Sequence, residues 1–117
     1  MLKRNPLVGQ AAAIGDRRPY VTALIVLDPD AGRAWAATNG RTGVTLVDLA
    51  RDPEVLAEVQ RAVDGANQLV SHAEQIRRFR VLPVEWTADS GELTPTLKLK
   101  RRVIAERYSS QIEQLYT

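Results

Sequence analysis

Tyr20 to Leu27 reads Tyr-Val-Thr-Ala-Leu-Ile-Val-Leu, a nearly unbroken apolar run rich in β-branched residues. It lacks the polar alternation of a half-solvated strand, so it predicts a central strand covered on both faces. Val8 to Ile14 is small and apolar and reads as a second strand. The turn residues Gly15-Asp16-Arg17-Arg18-Pro19 between the two runs predict a hairpin. Asp28-Pro29-Asp30 then starts a short helix that runs to Thr38 and stops at Asn39-Gly40. Upstream, Met1 to Pro6 reads as the end of a helix stopped near Pro6.

Residues 41–51 read as a connector with no clear end. Asp52-Pro53-Glu54 is a strong helix start: a capping Asp, Pro at the first position and an acid in the first turn. Val55, Val59, Ala62, Val63, Ala66, Leu69, Val70, Ala73 and Ile76 recur at helical spacing, which predicts one long helix from about 53 to 77. Gly65 within it costs about 1 kcal/mol against Ala and is expected to mark close packing. Arg80 to Trp86 reads as a third strand, Ala88 to Gly91 as a turn. A last helix starting near Lys100 carries Ile104, Tyr108, Ile112 and Leu115 on one face. The expected fold is a single α+β domain over residues 1–117. A small, mainly antiparallel sheet from about 8–14, 20–27 and 80–86 packs against the long helix and the C-terminal helix.

Composition narrows the chemistry. The 117 residues are 44% hydrophobic and 26% charged, which suits a folded domain rather than a disordered chain. Only 5% is aromatic, so the core has to be Val, Leu, Ile and Ala. The absence of cysteine excludes disulfides and thiolate metal sites, and a single histidine excludes a histidine-based zinc cluster. No apolar run approaches the roughly 18 residues of a membrane span, and no apolar signal core stands at the N-terminus. A cytoplasmic location is expected, with peripheral membrane contact left open. The net charge of +2 is unevenly spread: +3 over residues 1–41, −4 over 42–92 and +3 over 93–117. A nucleic-acid binder would carry a denser basic excess with interleaved aromatics, so no nucleic-acid partner is expected.

Few constellations carry chemistry. Asp28 and Asp30 flank Pro29 and read as turn and cap residues, His72 as a solvated side chain of the long helix, Trp35 and Trp86 as core or core-edge residues. Ser109-Ser110 has no histidine at a spacing that would support a triad. What remains is Leu93-Thr94-Pro95-Thr96-Leu97-Lys98-Leu99-Lys100-Arg101-Arg102. In an extended segment, alternation would turn Leu97 and Leu99 to the core and project Thr96, Lys98 and Lys100 outward. Leucines would then anchor a flexible cation at a fixed point on the surface. The residues alone leave two readings: a solvated helix entry, or a cation aimed at an anionic group.

Thr94-Pro95-Thr96-Leu97-Lys98-Leu99-Lys100-Arg101, followed by Ser110-Gln111-Ile112-Glu113-Gln114-Leu115-Tyr116, resembles the C-terminal end of AMP-forming long-chain fatty-acid–CoA ligases. Asn5-Pro6-Leu7-Val8-Gly9-Gln10 and Gly15 through Asp28 are independently similar to the start of the small domain in that family. The resemblance covers essentially the whole chain, in order. It implies a small mobile C-terminal domain that closes over a large domain holding ATP and the acyl group. That missing N-terminal domain would be its chief partner, with fatty acid, ATP, magnesium and CoA used by the full enzyme. By its place four residues after Thr94, Lys98 matches the lysine that reaches the acyl carboxylate and the α-phosphate. Many members place a glycine before that lysine, where this chain has Leu97, so Lys100 stays the alternative. Lys100, Arg101 and Arg102 are candidates for CoA or interdomain contacts. The phosphate loop and adenine-binding motif of the large domain are absent from these residues, so the chain alone is expected to be inactive. The resemblance implies a chain that starts just past the hinge and its adjoining segment, as a fragment or a stand-alone relic. The rival expectation is a non-catalytic module whose basic stretch binds an anionic partner.

Overall fold

A computed structural model describes residues 5–15, 17–41 and 43–116. The expected helix end at Met1 to Arg4 lies outside these residues. Strand β1 (Val8–Ile14) and strand β2 (Val21–Leu27) form the expected hairpin, antiparallel with Ala11 opposite Ile25. Helix α1 (Pro29–Thr38) follows at once, capped by the Asp28 carboxylate, which accepts the Ala31 N–H at 2.9 Å. Asn39 ends it, as expected.

The connector at 41–51 contains a second helix, α2 (Leu46–Arg51). Thr45 and Asp48 form a reciprocal capping box at its start. Asp52 ends α2 and caps α3 (Pro53–Asn67), accepting the Glu54 N–H at 2.9 Å. Arg41 ties this junction together. Its guanidinium contacts Asp52 at 2.5 Å and Glu54 at 2.9 Å and lies 5.0 Å from the Trp35 ring centroid.

Helix α3 ends ten residues before the expected position 77. Asn67 is the reason: its side chain donates to the Ile76 carbonyl at 2.9 Å and accepts the Ile76 N–H at 2.8 Å. It therefore satisfies the first backbone groups of the next strand rather than prolonging the helix. Leu69 and Ala73, which fit the helical spacing, are exposed. A 3₁₀ turn (His72–Glu74) leads into β3 (Ile76–Leu82). His72 is exposed, as expected, but on that turn and beside Arg77 rather than on a helix. Gly65 does not mark close packing: it is exposed, and an added Cβ would meet nothing within 4 Å.

Strand β3 lies four residues earlier than expected and pairs parallel with β2, Ile25 opposite Val81. The α+β class holds, but the sheet is mixed, in order β1-β2-β3, with one antiparallel and one parallel pairing. The parallel pairing needs a crossover, and α1, α2 and α3 supply it. They bury one face, where Ala23, Ile25 and Leu27 pack with Val55, Val59 and Val63. The C-terminal helices α4 (Arg101–Arg107) and α5 (Ser109–Gln114) cover the other. There Leu24, Val26 and Leu82 meet Trp86, Ile104, Ile112 and Leu115. Every residue from Thr22 to Leu27 is buried, as a central strand requires.

The expected single last helix is two helices joined at Tyr108, whose backbone leaves the helical region (φ −110°, ψ 24°). The hydrogen-bond ladder continues across the joint, from Tyr108 N–H to Ile104 and from Ile112 N–H to Tyr108. Ile104, Tyr108, Ile112 and Leu115 consequently share one face after all. The C-terminal end is clamped to the β1–β2 turn. Tyr116 donates its hydroxyl toward the carbonyls of Ile14 and Tyr20 and accepts from the buried Thr22, while Arg18 pairs with Glu113.

Candidate functional site

Residues 92–100 do not form an extended segment with alternating faces. They fold into a narrow hairpin. Leu93 and Leu99 form an antiparallel bridge. The Lys100 N–H donates to the Glu92 carbonyl at 2.8 Å, and the Thr94 N–H to the Lys98 carbonyl at 2.8 Å. At the tip, the Leu97 N–H closes a turn onto the Thr94 carbonyl at 2.8 Å, with Pro95 at the second turn position. The Thr94 hydroxyl accepts the Lys98 N–H at 3.0 Å. Leu97 carries a positive φ of 64°. A turn followed by one left-handed residue is the usual three-residue hairpin loop, and the left-handed position favours glycine.

This geometry corrects the expectation for Leu97. It does not anchor the segment in the core; its side chain is 62% exposed. Leu99 does pack against the Trp86–Ile104 cluster, as expected, and Leu93, which is buried, joins it. The turn signal was present in Thr94-Pro95, because proline presets the backbone angle of the second turn position.

The base of the hairpin is held by a polar network that the sequence reading missed. Glu92 is 2% exposed. Its carboxylate accepts from the Tyr108 hydroxyl at 2.7 Å, from Arg107 at 2.9 Å and from the Ser90 hydroxyl. Trp86 in turn donates its indole N–H to Tyr108 at 3.1 Å. Burial alone would raise the Glu92 carboxyl, but the hydrogen bonds from Ser90, Tyr108 and Arg107 outweigh it and hold the group below the usual carboxylate range. Burial, with Glu92 beside it, pushes the Tyr108 hydroxyl up. No single spacing in the sequence signals this cluster, because its members come from a loop and a helix.

Lys98 and Lys100 are both exposed. No ion pair or side-chain hydrogen bond engages either ammonium among the described residues. Arg101 is tied instead to the Ala13 carbonyl at 3.1 Å, and Arg102 faces Glu106 one helical turn on at 3.7 Å. Arg101, Arg102 and Arg18 line the rim of a groove of about 440 Å³ between the β1–β2 turn and α4–α5, floored by Ile14 and Ile112. The four candidate cations thus divide into a free pair on the lysine hairpin and a held pair on this groove. Such positive charges suit phosphate and carboxylate, not a metal. Among the described residues no cluster of His, Cys, Asp or Glu could hold a metal ion. Trp86 is buried, Trp35 lies at the core edge, and Asp28 is a cap, as expected.

A family model for the AMP-binding enzyme C-terminal domain matches residues 1–117. The chain is 51% identical over 116 residues to the long-chain-fatty-acid–CoA ligase FadD15 of Mycobacterium tuberculosis, covering 98% of this chain and 19% of that protein. It is 31% identical over 132 residues to the long-chain-fatty-acid–CoA ligase ACSBG2 of Rattus norvegicus, covering 98% of this chain and 20% of that one. In structure it is similar to the adenylation domain of a carboxylate reductase from Mycobacterium chelonae, with a TM-score of 0.66 and 29% identity over 98% of this chain and 16% of that chain. The chain thus spans about one-fifth of the length of these curated relatives. With a family model matching end to end and half of its residues shared with one such ligase, the chain belongs to the AMP-binding enzyme C-terminal domain family.

Proposed function

We propose that the chain serves as the small C-terminal domain of a long-chain fatty-acid–CoA ligase, and that Lys98 is its catalytic residue for acyl adenylation. The observation that carries the proposal is an unengaged ammonium on the tip of a hairpin whose base is fixed by a buried network. The full enzyme would join a fatty acid to ATP, form an acyl-adenylate with loss of pyrophosphate, and pass the acyl group to CoA with release of AMP. It would work in the cytoplasm, with any membrane contact peripheral. No helix among the described residues is long and apolar enough to cross a membrane.

The physical role of Lys98 follows from charge. Attack of the fatty-acid carboxylate on the α-phosphorus gathers negative charge on the phosphoryl oxygens. A compact ammonium on a flexible stem offsets that charge best when it is already in place and water is excluded. The hairpin supplies the placement: Thr94 fixes the Lys98 backbone through two hydrogen bonds while the side chain stays free. Lys100 lies two residues toward the base of the hairpin, and with Arg101 and Arg102 it would meet the large domain or the CoA phosphates.

The test uses a full-length ligase carrying this domain. Lys98→Ala should slow pyrophosphate release about 100- to 1,000-fold, equivalent to about 3–4 kcal/mol, and largely spare acyl transfer from supplied acyl-adenylate. Lys100→Ala should do far less. If Lys100 proves the sensitive position, the catalytic role moves by two residues. Equal, salt-sensitive losses of polyanion binding for both lysines, with no effect on adenylation, would favour an anion-binding module instead. The isolated chain should show no turnover, since one lysine cannot hold a nucleotide against the entropy of binding.

A further inference from the structure

Leu97 combines two features that stability alone disfavours. Its backbone holds φ +64°, a region in which a branched side chain is strained. Its side chain is also the most exposed of the large hydrophobic side chains among the described residues, at 62%. The hydrogen bonds that make the tip run between backbone groups and the Thr94 hydroxyl, and none needs a leucine side chain. Glycine or asparagine would make the same turn with less strain. A costly conformation kept at a tip beside a free cation points to a use outside the domain.

We propose that Leu97 is an apolar cap over the acyl-adenylate: it arrives with Lys98 and keeps water from the acyl carbon. The inference rests on the ligase reading of Lys98. Neighbouring Cα atoms lie about 3.8 Å apart, so Leu97 goes wherever Lys98 goes. If Lys98 meets the junction of carboxylate and phosphate, Leu97 stands over the adjoining part of the substrate, and in a fatty acid that part is methylene. An apolar side chain there buries apolar surface, and by displacing water it strengthens the interaction of the ammonium with the phosphoryl oxygens. It also blocks a side reaction. Water adding to the acyl carbon breaks that carbon's bond to the phosphate oxygen. Fatty-acid carboxylate, AMP and two protons are released, and the activation is lost.

The experiment uses a full-length ligase carrying this domain, supplied with ATP and fatty acid, first without CoA and then with it. Pyrophosphate, AMP and acyl-CoA are measured for wild type, Leu97→Met, Leu97→Gly and Leu97→Asn. Asparagine is close to leucine in size and tolerates positive φ but is polar, so it separates apolarity from shape. Wild type and Leu97→Met should release little AMP without CoA and match AMP to acyl-CoA when CoA is present. Leu97→Gly and Leu97→Asn should release AMP several-fold faster without CoA and in excess over acyl-CoA with it. Their melting temperatures should stay within about 2 °C of wild type.

Unchanged coupling in both the glycine and asparagine variants would overturn the cap, as would a leak shared by Leu97→Met. A melting temperature for Leu97→Gly lower by clearly more than about 2 °C would make the leucine structural. Loss of pyrophosphate release in Leu97→Gly would make it a positioning residue for Lys98 instead. Lys98→Ala run alongside keeps the two proposals apart. If Lys98→Ala releases pyrophosphate like wild type, the ligase reading of the hairpin fails; if it is inactive while Leu97→Gly is fully coupled, only the cap fails.

Discussion

On one face of β2, Ala23, Ile25 and Leu27 meet the valines of α3, and the layer is apolar throughout. On the other face, Leu24 and Val26 meet Ile104 and Ile112, but the same layer encloses Thr22, Glu92 and the hydroxyls of Tyr108 and Tyr116. Apolar burial is non-directional: it holds helices against a sheet without fixing the direction of any side chain. Hydrogen bonds to a buried carboxylate are directional, and leaving one unmade is costly. The polar face is also the one that carries the lysine hairpin. Both faces thus supply apolar burial, and the second adds directional hydrogen bonds at the base of the lysine hairpin.

The largest effects should come from the shared apolar part and fall on both faces alike. Ile25→Ala on the first face and Ile104→Ala on the second should each cost about 2–5 kcal/mol, because both side chains are fully buried. Denaturant titration checks this. A cost under about 1 kcal/mol for either would show that its layer is not closely packed.

Next comes the buried carboxylate, Glu92, which among the described residues only the second face has. Glu92→Gln should cost about 1–3 kcal/mol at neutral pH, since an amide cannot accept from Ser90, Tyr108 and Arg107 as a carboxylate does. The sign of its pH dependence follows from the lowered folded-state value. A carboxyl held below its unfolded value, about 4.3 for Glu, contributes stability that is fully present above that value. The contribution is lost as pH falls toward the folded value. The gap between wild type and Glu92→Gln should therefore be widest near neutrality and close in acid. Melting curves from pH 7 down to pH 3 test this, and a gap that stays constant would mean that Glu92 is not held ionised.

A smaller effect of opposite sign is expected on the first face. Gly65 is exposed in α3, with space for a Cβ. Gly65→Ala should stabilise the domain by about 0.5–1 kcal/mol by restricting the unfolded chain and favouring the helix. Urea midpoints for the two proteins decide it. A loss instead would show that the outer surface of α3 needs the glycine.

What the sequence made legible divides along the same line. The apolar face is written in local periodicity, so β1, β2, α1 and the start of α3 were placed from spacing and caps. The end of α3 was not, because Leu69, Val70, Ala73 and Ile76 continue the spacing while Asn67 turns its side chain to the Ile76 backbone. That bond is a tertiary choice with no periodic signature. The shift of β3 and its parallel pairing follow from the same early stop. On the polar face, Lys98 and its exposure were legible, but the hairpin was not. Alternation of leucine and lysine suggested an extended segment, while Pro95 had already fixed a turn. The capping box of α2, Thr45 to Asp48, is by contrast a local signal that the sequence carries. Glu92 and Tyr108 are sixteen residues apart and meet only once α4 has packed on the sheet, so no local pattern could have joined them.

The smallest expected effect is at the hairpin tip. Lys98→Ala should change the unfolding free energy by no more than about 0.5 kcal/mol, because the ammonium is solvated and the backbone bonds to Thr94 survive truncation. Leu97→Gly should fall in the same range for a different reason. Relief of the positive φ, worth roughly 1 kcal/mol, is offset by the greater freedom that glycine gives the unfolded chain. Both substitutions lie on the polar face, yet neither removes a buried group. If that face exists to orient the tip, stability and activity should separate there as nowhere else in the domain. Denaturant curves should superimpose on wild type while adenylation fails for Lys98→Ala. A loss above about 1 kcal/mol for Lys98→Ala would mean that the lysine supports the fold. The division of labour between the two faces would then be wrong at the point where it matters most.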